Sequence, residues 1–479
     1  SGFHPLSAFL VAPLHSLGTP EVAIPASLLV LVLAQAAGAI VLYRLLSKLW
    51  SRPVAFLCGA TWAVSGSLYS LAMTGVETVL AALLVMLFLS LFVDGVAAGE
   101  PRLRWRGALP GLVAAAAFLA RLDSPILMAP AGAVLAYRLV RSRRFGELAI
   151  LTATALAPSL AWLAYIRLRT GDVFPTSGAA IRALRGVEET TLLPPELTAF
   201  LAEHLTRRFG HFFWRGDTGI WVVVALTVLA VIGALVKRSG KGRARRRRSR
   251  TLTLFVVCVL TGAAGWSAYY LLFQGTLRYW YVAHLGLLAY GVLLPPVVDL
   301  LGRLVRRPAA LLAAGAVLVV AIGALSSPRA PRGPQLHDKY RSALAADEIW
   351  GREAPEGRLG AFNAGLYDYF METDVINLDG LVNPESLAAI RDDDLPGYLR
   401  REDIRFLIEH EVRTAANLHR LYDDPRVRLT RWVDLSEAYE PFAGRHARRT
   451  FLWRVEVLEA APGPPRPADR PDTGAGLER

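Results

Sequence analysis

Charged residues at the ends of apolar segments are the first candidates for chemistry in this sequence, because an ionisable group near a lipid bilayer costs free energy. Glu77 lies in the run TGVET, between two apolar segments. Its carboxylate could act as a base, bind a metal or pair with a cation. The structural alternative is a helix N-terminal acid that the macrodipole favours. Gly75 would let a ligand approach the backbone.

A second candidate pair, Arg121 and Asp123, lies in the run FLARLDSPIL. The two side chains could simply pair with each other. Alternatively, the guanidinium could bind a phosphate, since its forked donors match phosphate oxygens, while the carboxylate steers an acceptor hydroxyl. We take Glu77 and Asp123 as the candidate catalytic residues and Arg121 as a candidate substrate-binding residue.

Further substrate-binding candidates are aromatic or basic. Arg278 and Tyr279 open an apolar segment that also contains His284, and Arg278 could bind a lipid phosphate. Aromatic residues at this position more often form an interfacial belt. His4 precedes the first apolar stretch, where a lone histidine is more often structural. His211 begins the run HFFW, which predicts either an amphipathic surface element that guides a lipid or a packing element.

The composition is that of a membrane protein. Of 479 residues, 53% are hydrophobic and 19% are charged, against about 25% charged in soluble domains. The net charge of +13 could indicate nucleic-acid binding, but the basic residues lie in short loops between apolar runs, the positive-inside pattern. The two cysteines lie inside apolar segments, which excludes a disulfide framework.

Apolar segments of roughly 20 residues, long enough to span a bilayer, recur about ten times. Their order predicts a polytopic transmembrane helical bundle over residues 1–325 with a long outer loop at 168–218. The segments lie at about 22–46, 54–73, 79–98, 107–121, 124–140, 147–167, 219–236, 251–273, 280–302 and 309–325.

Basic clusters in every second loop predict which ends face the cytoplasm. The chain is then a multi-pass protein of the plasma (inner) membrane, with the N-terminal stretch, the 168–218 loop and everything after about 326 outside. The clusters are Arg44, Lys48 and Arg52; Arg102, Arg104 and Arg106; Arg138, Arg141, Arg143 and Arg144; Lys237 through Arg250; and Arg303, Arg306 and Arg307.

The stretch 107–140 tests this topology. One helix would be about 51 Å long, longer than a bilayer core, and would bury Arg121 and Asp123 near the bilayer centre. A hairpin with the two residues at its outer tip avoids both problems. Pro125 suits the first turn of the returning helix.

The last third has globular hydropathy. A Pro/Arg-rich linker at 326–336 precedes a predicted extracytoplasmic α/β domain at 337–460 and a disordered tail at 461–479. The fold class is therefore mainly α, a membrane bundle followed by a small α/β domain. The run GAFNAG at 360–365 lacks nucleotide-loop spacing and predicts a strand-to-helix turn.

Several motifs resemble the GT-C superfamily of bacterial polytopic glycosyltransferases, including mannosyl- and arabinosyltransferases. Each is weak alone, but their order and common outer placement are specific. FLARLDSPIL looks like the family's L-x-R-x-D segment, and TGVET looks like its SGMET motif. The matching runs are GFHPL at 2–6, TGVET at 74–78, FLARLDSPIL at 118–127, GDVFP at 171–175 and VINLDGLVN at 375–383.

The resemblance implies transfer of a sugar from a polyprenyl-phosphate donor to a glycan, lipid or protein acceptor outside the cytoplasm, with inversion. It places the family's first helix and acidic outer loop upstream of Ser1, and a divalent metal such as Mg or Mn is the one cofactor it allows. Two other classes stay open: a transporter or flippase of lipid-linked sugars, and a non-catalytic cell-envelope scaffold. Membrane lipids are expected partners and nucleic acid is not.

Overall fold

The computed structural model forms two compact units, Ser1–Arg182 with Gly186–Pro331, and Arg332–Arg479 with Ala183–Arg185. We describe each unit by itself. The residues that the structure describes are 4–16, 18–73, 75, 77–97, 107–171, 180, 225–230, 243–273, 283–304, 308–326, 335–362, 364–410, 419–436 and 449–458.

The first unit is helical. Its helices are α1 (Pro5–Ser16), α2 (Pro20–Leu49), α3 (Arg52–Val64), α4 (Gly66–Met73), α5 (Thr78–Ala97), α6 (Ala108–Ala120), α7 (Ser124–Arg141), α8 (Phe145–Thr170), α9 (Arg243–Phe273), α10 (Leu285–Leu287 and Leu294–Leu304 around the π-helical Leu288–Leu293) and α11 (Pro308–Ser326). A further stretch, 225–230, is helical inside the predicted segment 219–236.

Within the described ranges, five helices are long and apolar enough to cross a membrane: those containing Val22–Leu49, Thr78–Ala97, Phe145–Arg169, Arg247–Tyr270 and Leu285–Arg303. A sixth span results if α3 and α4 count as one. The hairpin prediction for 107–140 is confirmed, because α6 and α7 are separate helices joined at residues 121–123, with proline in the first turn of α7.

The predicted single helix at 54–73 is broken instead. α3 and α4 meet at Ser65 with a bend of 43°. The amide of Gln35 donates to the carbonyls of Trp62 and Ala63 at 3.5 and 3.4 Å, and the amide of Ser65 also donates to that of Trp62. Tyr290, in the π-helical stretch, donates to the Ser65 hydroxyl at 3.0 Å. Polar groups exposed by a break inside an apolar bundle need such partners. The hydropathy pattern did not indicate the break or these partners.

The helix ends gather in two places. At one, Arg248 at the start of α9 donates to the carbonyl of Trp50, just after α2, and Lys48 pairs with Asp94 near the end of α5 at 2.8 Å. We call this the basic end. The opposite ends of α5, α6, α7 and α9 carry the candidate site. This arrangement matches the predicted alternation of basic and non-basic loops.

The second unit is a five-stranded mixed sheet with helices. Its order is β2-β1-β3-β5-β4, with β1 parallel to β2 and β3 and the remaining pairs antiparallel. The elements are α12 (Gln335–Glu353), β1 (Arg358–Ala361), α13 (Gly365–Phe370), β2 (Val375–Asn377), α14 (Pro384–Arg391), α15 (Leu395–Arg401), β3 (Ile404–His410), α16 (His419–Tyr422), β4 (Val427–Asp434) and β5 (Thr450–Val457).

The run DGLVN after β2 is a structural turn. Gly380 has φ +70°, and a Cβ there would lie 2.9 Å from the backbone of Leu387. Asn383 caps α14 by accepting from the amides of Glu385 and Ser386, as capping asparagines do. This motif therefore directs the chain from strand to helix. The predicted α/β class is confirmed.

Candidate functional site

Arg121 lies at the centre of a buried polar cluster. Its Nη1 donates to Glu77 at 2.8 Å, its Nε to Asp123 at 2.9 Å and its Nη2 to Asp123 at 3.0 Å. Nη2 also donates to the hydroxyl of Tyr270 at 3.0 Å. The side chain is only 3% exposed. One guanidinium therefore fixes two carboxylates that are distant in sequence.

Asp123 is held from several sides. Both oxygens accept from Arg121, and Oδ2 also accepts from the indole of Trp266 at 2.9 Å and the hydroxyl of Tyr270 at 2.7 Å. The two rings pack against each other with centroids 4.5 Å apart. Since four donors occupy this carboxylate, it is suited to an anchoring role more than to proton transfer.

Glu77 is the more accessible carboxylate, with 15% of its side chain exposed against 6% for Asp123. Its Oε1 accepts from Arg121 and lies 3.4 Å from Nε2 of His4. Of the two candidate catalytic acids, Glu77 is therefore the one that a substrate can reach.

Local backbone geometry brings these side chains together. Gly75 has φ +74°, a left-handed conformation that glycine adopts without a steric cost, and it turns the chain from α4 into Glu77 and α5. At the other turn, α6 ends as Arg121 becomes extended, and the amide of Ser124 donates to its carbonyl at 3.0 Å. Two tight turns between helices thus face each other.

Two ionisation states follow from this environment. Burial alone would raise the pKa of Asp123, but the charge and hydrogen bonds of Arg121 outweigh it and hold that pKa below its ordinary value. Burial lowers the pKa of His4, and the Arg121 charge adds to this against the opposing carboxylates. Near neutral pH, Asp123 is ionised and His4 is mainly neutral.

His284 joins the cluster in a way that the sequence did not indicate. It is 3% exposed and contacts Trp266 edge-on, with ring centroids 6.4 Å apart. In the described part of the chain, neither ring nitrogen has a hydrogen-bond partner. His284 lies in the segment that Arg278 and Tyr279 open, but the sequence gave it no role of its own. Trp266 and Tyr270 lie in an apolar segment, where aromatic residues normally indicate packing, so no sequence signal marked these two.

Other predicted site residues are not tested. Arg278, Tyr279 and His211 lie outside the described residues, and their roles stay predictions. No group of three or more His, Cys, Asp or Glu within the described ranges could hold a metal ion. Arg121 already binds both carboxylates, so a divalent cation would have to compete with it; the residues present do not fit a metal at this point.

The bundle and sheet define a multi-pass helical membrane protein with a C-terminal α/β unit and a buried cluster of two carboxylates and an arginine at one end. No family model matches the chain, and no curated protein does.

Solved structures give a distant likeness to the oligosaccharyltransferase AglB of Archaeoglobus fulgidus. With an inhibitory peptide and a dolichol-phosphate bound, it matches at 12% identity and TM-score 0.46; tethered to an acceptor peptide, it matches at 12% and 0.48. In both cases 88% of this chain aligns, and the chain spans 63% of the length of that protein. Likeness at this identity and these scores does not establish a shared activity.

Proposed function

We propose that this chain is a membrane glycosyltransferase that moves a sugar from a polyprenyl-phosphate donor to a hydroxyl group of a glycan, lipid or protein acceptor outside the cytoplasm. The observation that carries the proposal is the meeting of Glu77 with Arg121 and Asp123. Glu77 belongs to TGVET and the other two residues belong to LARLD, and both motifs resemble those of the GT-C superfamily. Glu77 and Arg121 are 44 residues apart in sequence, yet they are hydrogen-bonded in one cluster.

In the proposed reaction, Glu77 is the base. The acceptor oxygen attacks the anomeric carbon, its proton passes to the Glu77 carboxylate, and the bond to the donor phosphate breaks with release of polyprenyl phosphate. The transition state has oxocarbenium character. Arg121 holds the carboxylate in place, and Asp123 fixes Arg121 in turn. We therefore assign Arg121 the role of positioning Glu77. The sequence also allowed it to bind the donor phosphate.

A bilayer-embedded cluster suits a donor with a lipid tail, because the tail can stay in the membrane while its head group reaches the helix ends. A flippase would need a path across the bundle. The candidate residues that the structure describes gather at one end instead, which favours an interfacial enzyme. The same clustering is more than a scaffold requires, because even paired buried charges carry a desolvation cost that apolar side chains in the same place would not.

The test is turnover by the purified chain in proteoliposomes. We expect release of polyprenyl phosphate from one member of a panel of polyprenyl-phosphate arabinose, mannose and glucose, with a membrane glycan fraction as acceptor. Glu77→Gln should lower turnover by about 10²–10⁴-fold, the usual contribution of a general base, while the chain stays folded at the assay temperature because Arg121 keeps Asp123 as its counter-ion.

Glu147→Gln is the matched control. Glu147 also pairs with an arginine, Arg144 at 3.4 Å, but at the basic end, so its loss should leave turnover unchanged. Turnover by Glu77→Gln at the wild-type rate would remove Glu77 from the mechanism. A wild-type chain that is folded yet inactive toward every donor would contradict the proposed function itself.

A further inference from the structure

A group of arginines converges at the basic end, away from the candidate site. Gly262 of α9 lies against Leu127 of α7, and the two helices run antiparallel from this contact to the basic end. Arg138, in the last turn of α7, therefore comes level with Arg250 and Arg247 in the first turns of α9. Arg247 and Arg250 are three residues apart and so share one face of their helix. Arg138 is half-buried, and the other two are exposed. Three like charges from two adjacent helices therefore lie at the same level of the basic end.

The protein itself neutralises little of this charge. The described ion pairs at this end join Lys48 to Asp94, Arg144 to Glu147 and Arg303 to Asp299, and none of the described ion pairs includes the three arginines. Arg138 donates one hydrogen bond, to the carbonyl of Gly95 at 3.3 Å. The repulsion among the three positive charges is reduced when an anion binds between the guanidinium groups.

We propose that Arg138, Arg247 and Arg250 form a binding site for the phosphodiester head group of an anionic phospholipid. Guanidinium groups bind phosphate oxygens through paired donors. Arg247 is the first residue of an apolar stretch long enough to cross a membrane, Arg247–Tyr270, which sets the cluster at head-group depth. A lipid is therefore favoured over free phosphate as the source of the anion. This inference is independent of the proposed function.

The experiment compares thermal unfolding of the full chain in nanodiscs of POPC alone and of POPC with POPG. We expect POPG to raise the unfolding midpoint of the wild-type chain. Arg247→Gln, an exposed substitution, should lower the affinity for POPG by about 10–100-fold, because a charge-assisted hydrogen bond to the head group, worth about 1.5–3 kcal/mol, is lost. Arg138→Gln should have the same effect, and both variants should unfold like wild type in POPC alone.

Arg141→Gln is the matched control, since Arg141 lies in the same last turn of α7 but donates to the Tyr137 hydroxyl at 3.2 Å; it should lose only about fivefold in POPG affinity, from roughly 1 kcal/mol per arginine near an anionic surface. Inorganic phosphate added to POPC nanodiscs at constant ionic strength should give no shift. Three outcomes would overturn the site: equal wild-type midpoints in both lipids, a wild-type response from Arg247→Gln, or a full shift from inorganic phosphate.

Discussion

Asp123 shows how the cluster tolerates buried charge. A carboxylate removed from water is costly unless it is paired and hydrogen-bonded, and here it receives donors from Arg121, Trp266 and Tyr270. The guanidinium in turn needs Asp123 and Glu77. Each charge in the cluster is stabilised by the others, so removing one charge is expected to destabilise those that remain.

We expect Asp123→Asn to lower the free energy of unfolding by about 3–5 kcal/mol, because it leaves the buried Arg121 charge undercompensated. Asp94→Asn breaks an ion pair in which Asp94 is 57% exposed and should cost less than about 1 kcal/mol. Chemical unfolding in detergent measures both. Similar losses for the two variants would contradict the anchoring role of Asp123.

The same residue predicts a pH dependence. Its pKa in the folded chain lies below the ordinary value of 3.8, so its stabilising contribution is complete above that value and is lost as the pH falls through the folded pKa. The stability difference between wild type and Asp123→Asn should stay constant from about pH 8 to pH 5 and shrink only below about pH 4. A difference that shrinks near pH 6 would mean that another group controls the cluster.

At the scale of elements, close packing of α9 on α7 positions the cluster. A Cβ on Gly262 would lie 2.5 Å from the carbonyl oxygen of Leu127, so the two backbones approach as small residues allow in membrane bundles. Trp266 and Tyr270 follow one and two turns later on α9. Helix packing at Gly262 therefore sets the hydrogen bonds that hold Asp123.

Gly262→Ala should separate α9 from α7, weaken the bonds from Trp266 and Tyr270, and cost about 1–3 kcal/mol, as overpacking does. Gly265→Ala is the control on the same helix, because its Cβ would meet a flexible side-chain carbon of Ile126 at 3.4 Å. Unfolding midpoints and turnover should both fall for the first variant only. Equal behaviour of the two would show that this contact does not position the site.

At the scale of the whole molecule, the membrane topology is a prediction that rests on the distribution of charged residues. Single cysteines test it, since Cys58 and Cys258 are buried. We expect Ser142→Cys, at the basic end of α7, to react with a membrane-impermeant maleimide only after permeabilisation. Arg169→Cys near the end of α8, and Asp392→Cys in the sheet unit, should react on intact cells. Labelling of Ser142→Cys from outside would reverse the orientation.

The sequence alone determined the class of protein and much of its layout. Hydropathy and charge predicted the membrane helices, and the cost of burying Arg121 and Asp123 mid-bilayer predicted the turn between α6 and α7. The globular hydropathy of the last third predicted a separate α/β unit, and the five-stranded sheet with helices confirms that class. These features follow from local periodicity and from the free-energy cost of burying charge, and both can be judged from one sequence.

Tertiary structure alone decided how the site is built. Trp266 contacts Asp123 across 143 positions, and Tyr290 supports the break at Ser65 across 225. Within an apolar segment, a tryptophan or tyrosine that will donate a buried hydrogen bond has the same pattern as one that merely packs. Which role it takes depends on the helix that lies opposite, and that is fixed only when the bundle assembles.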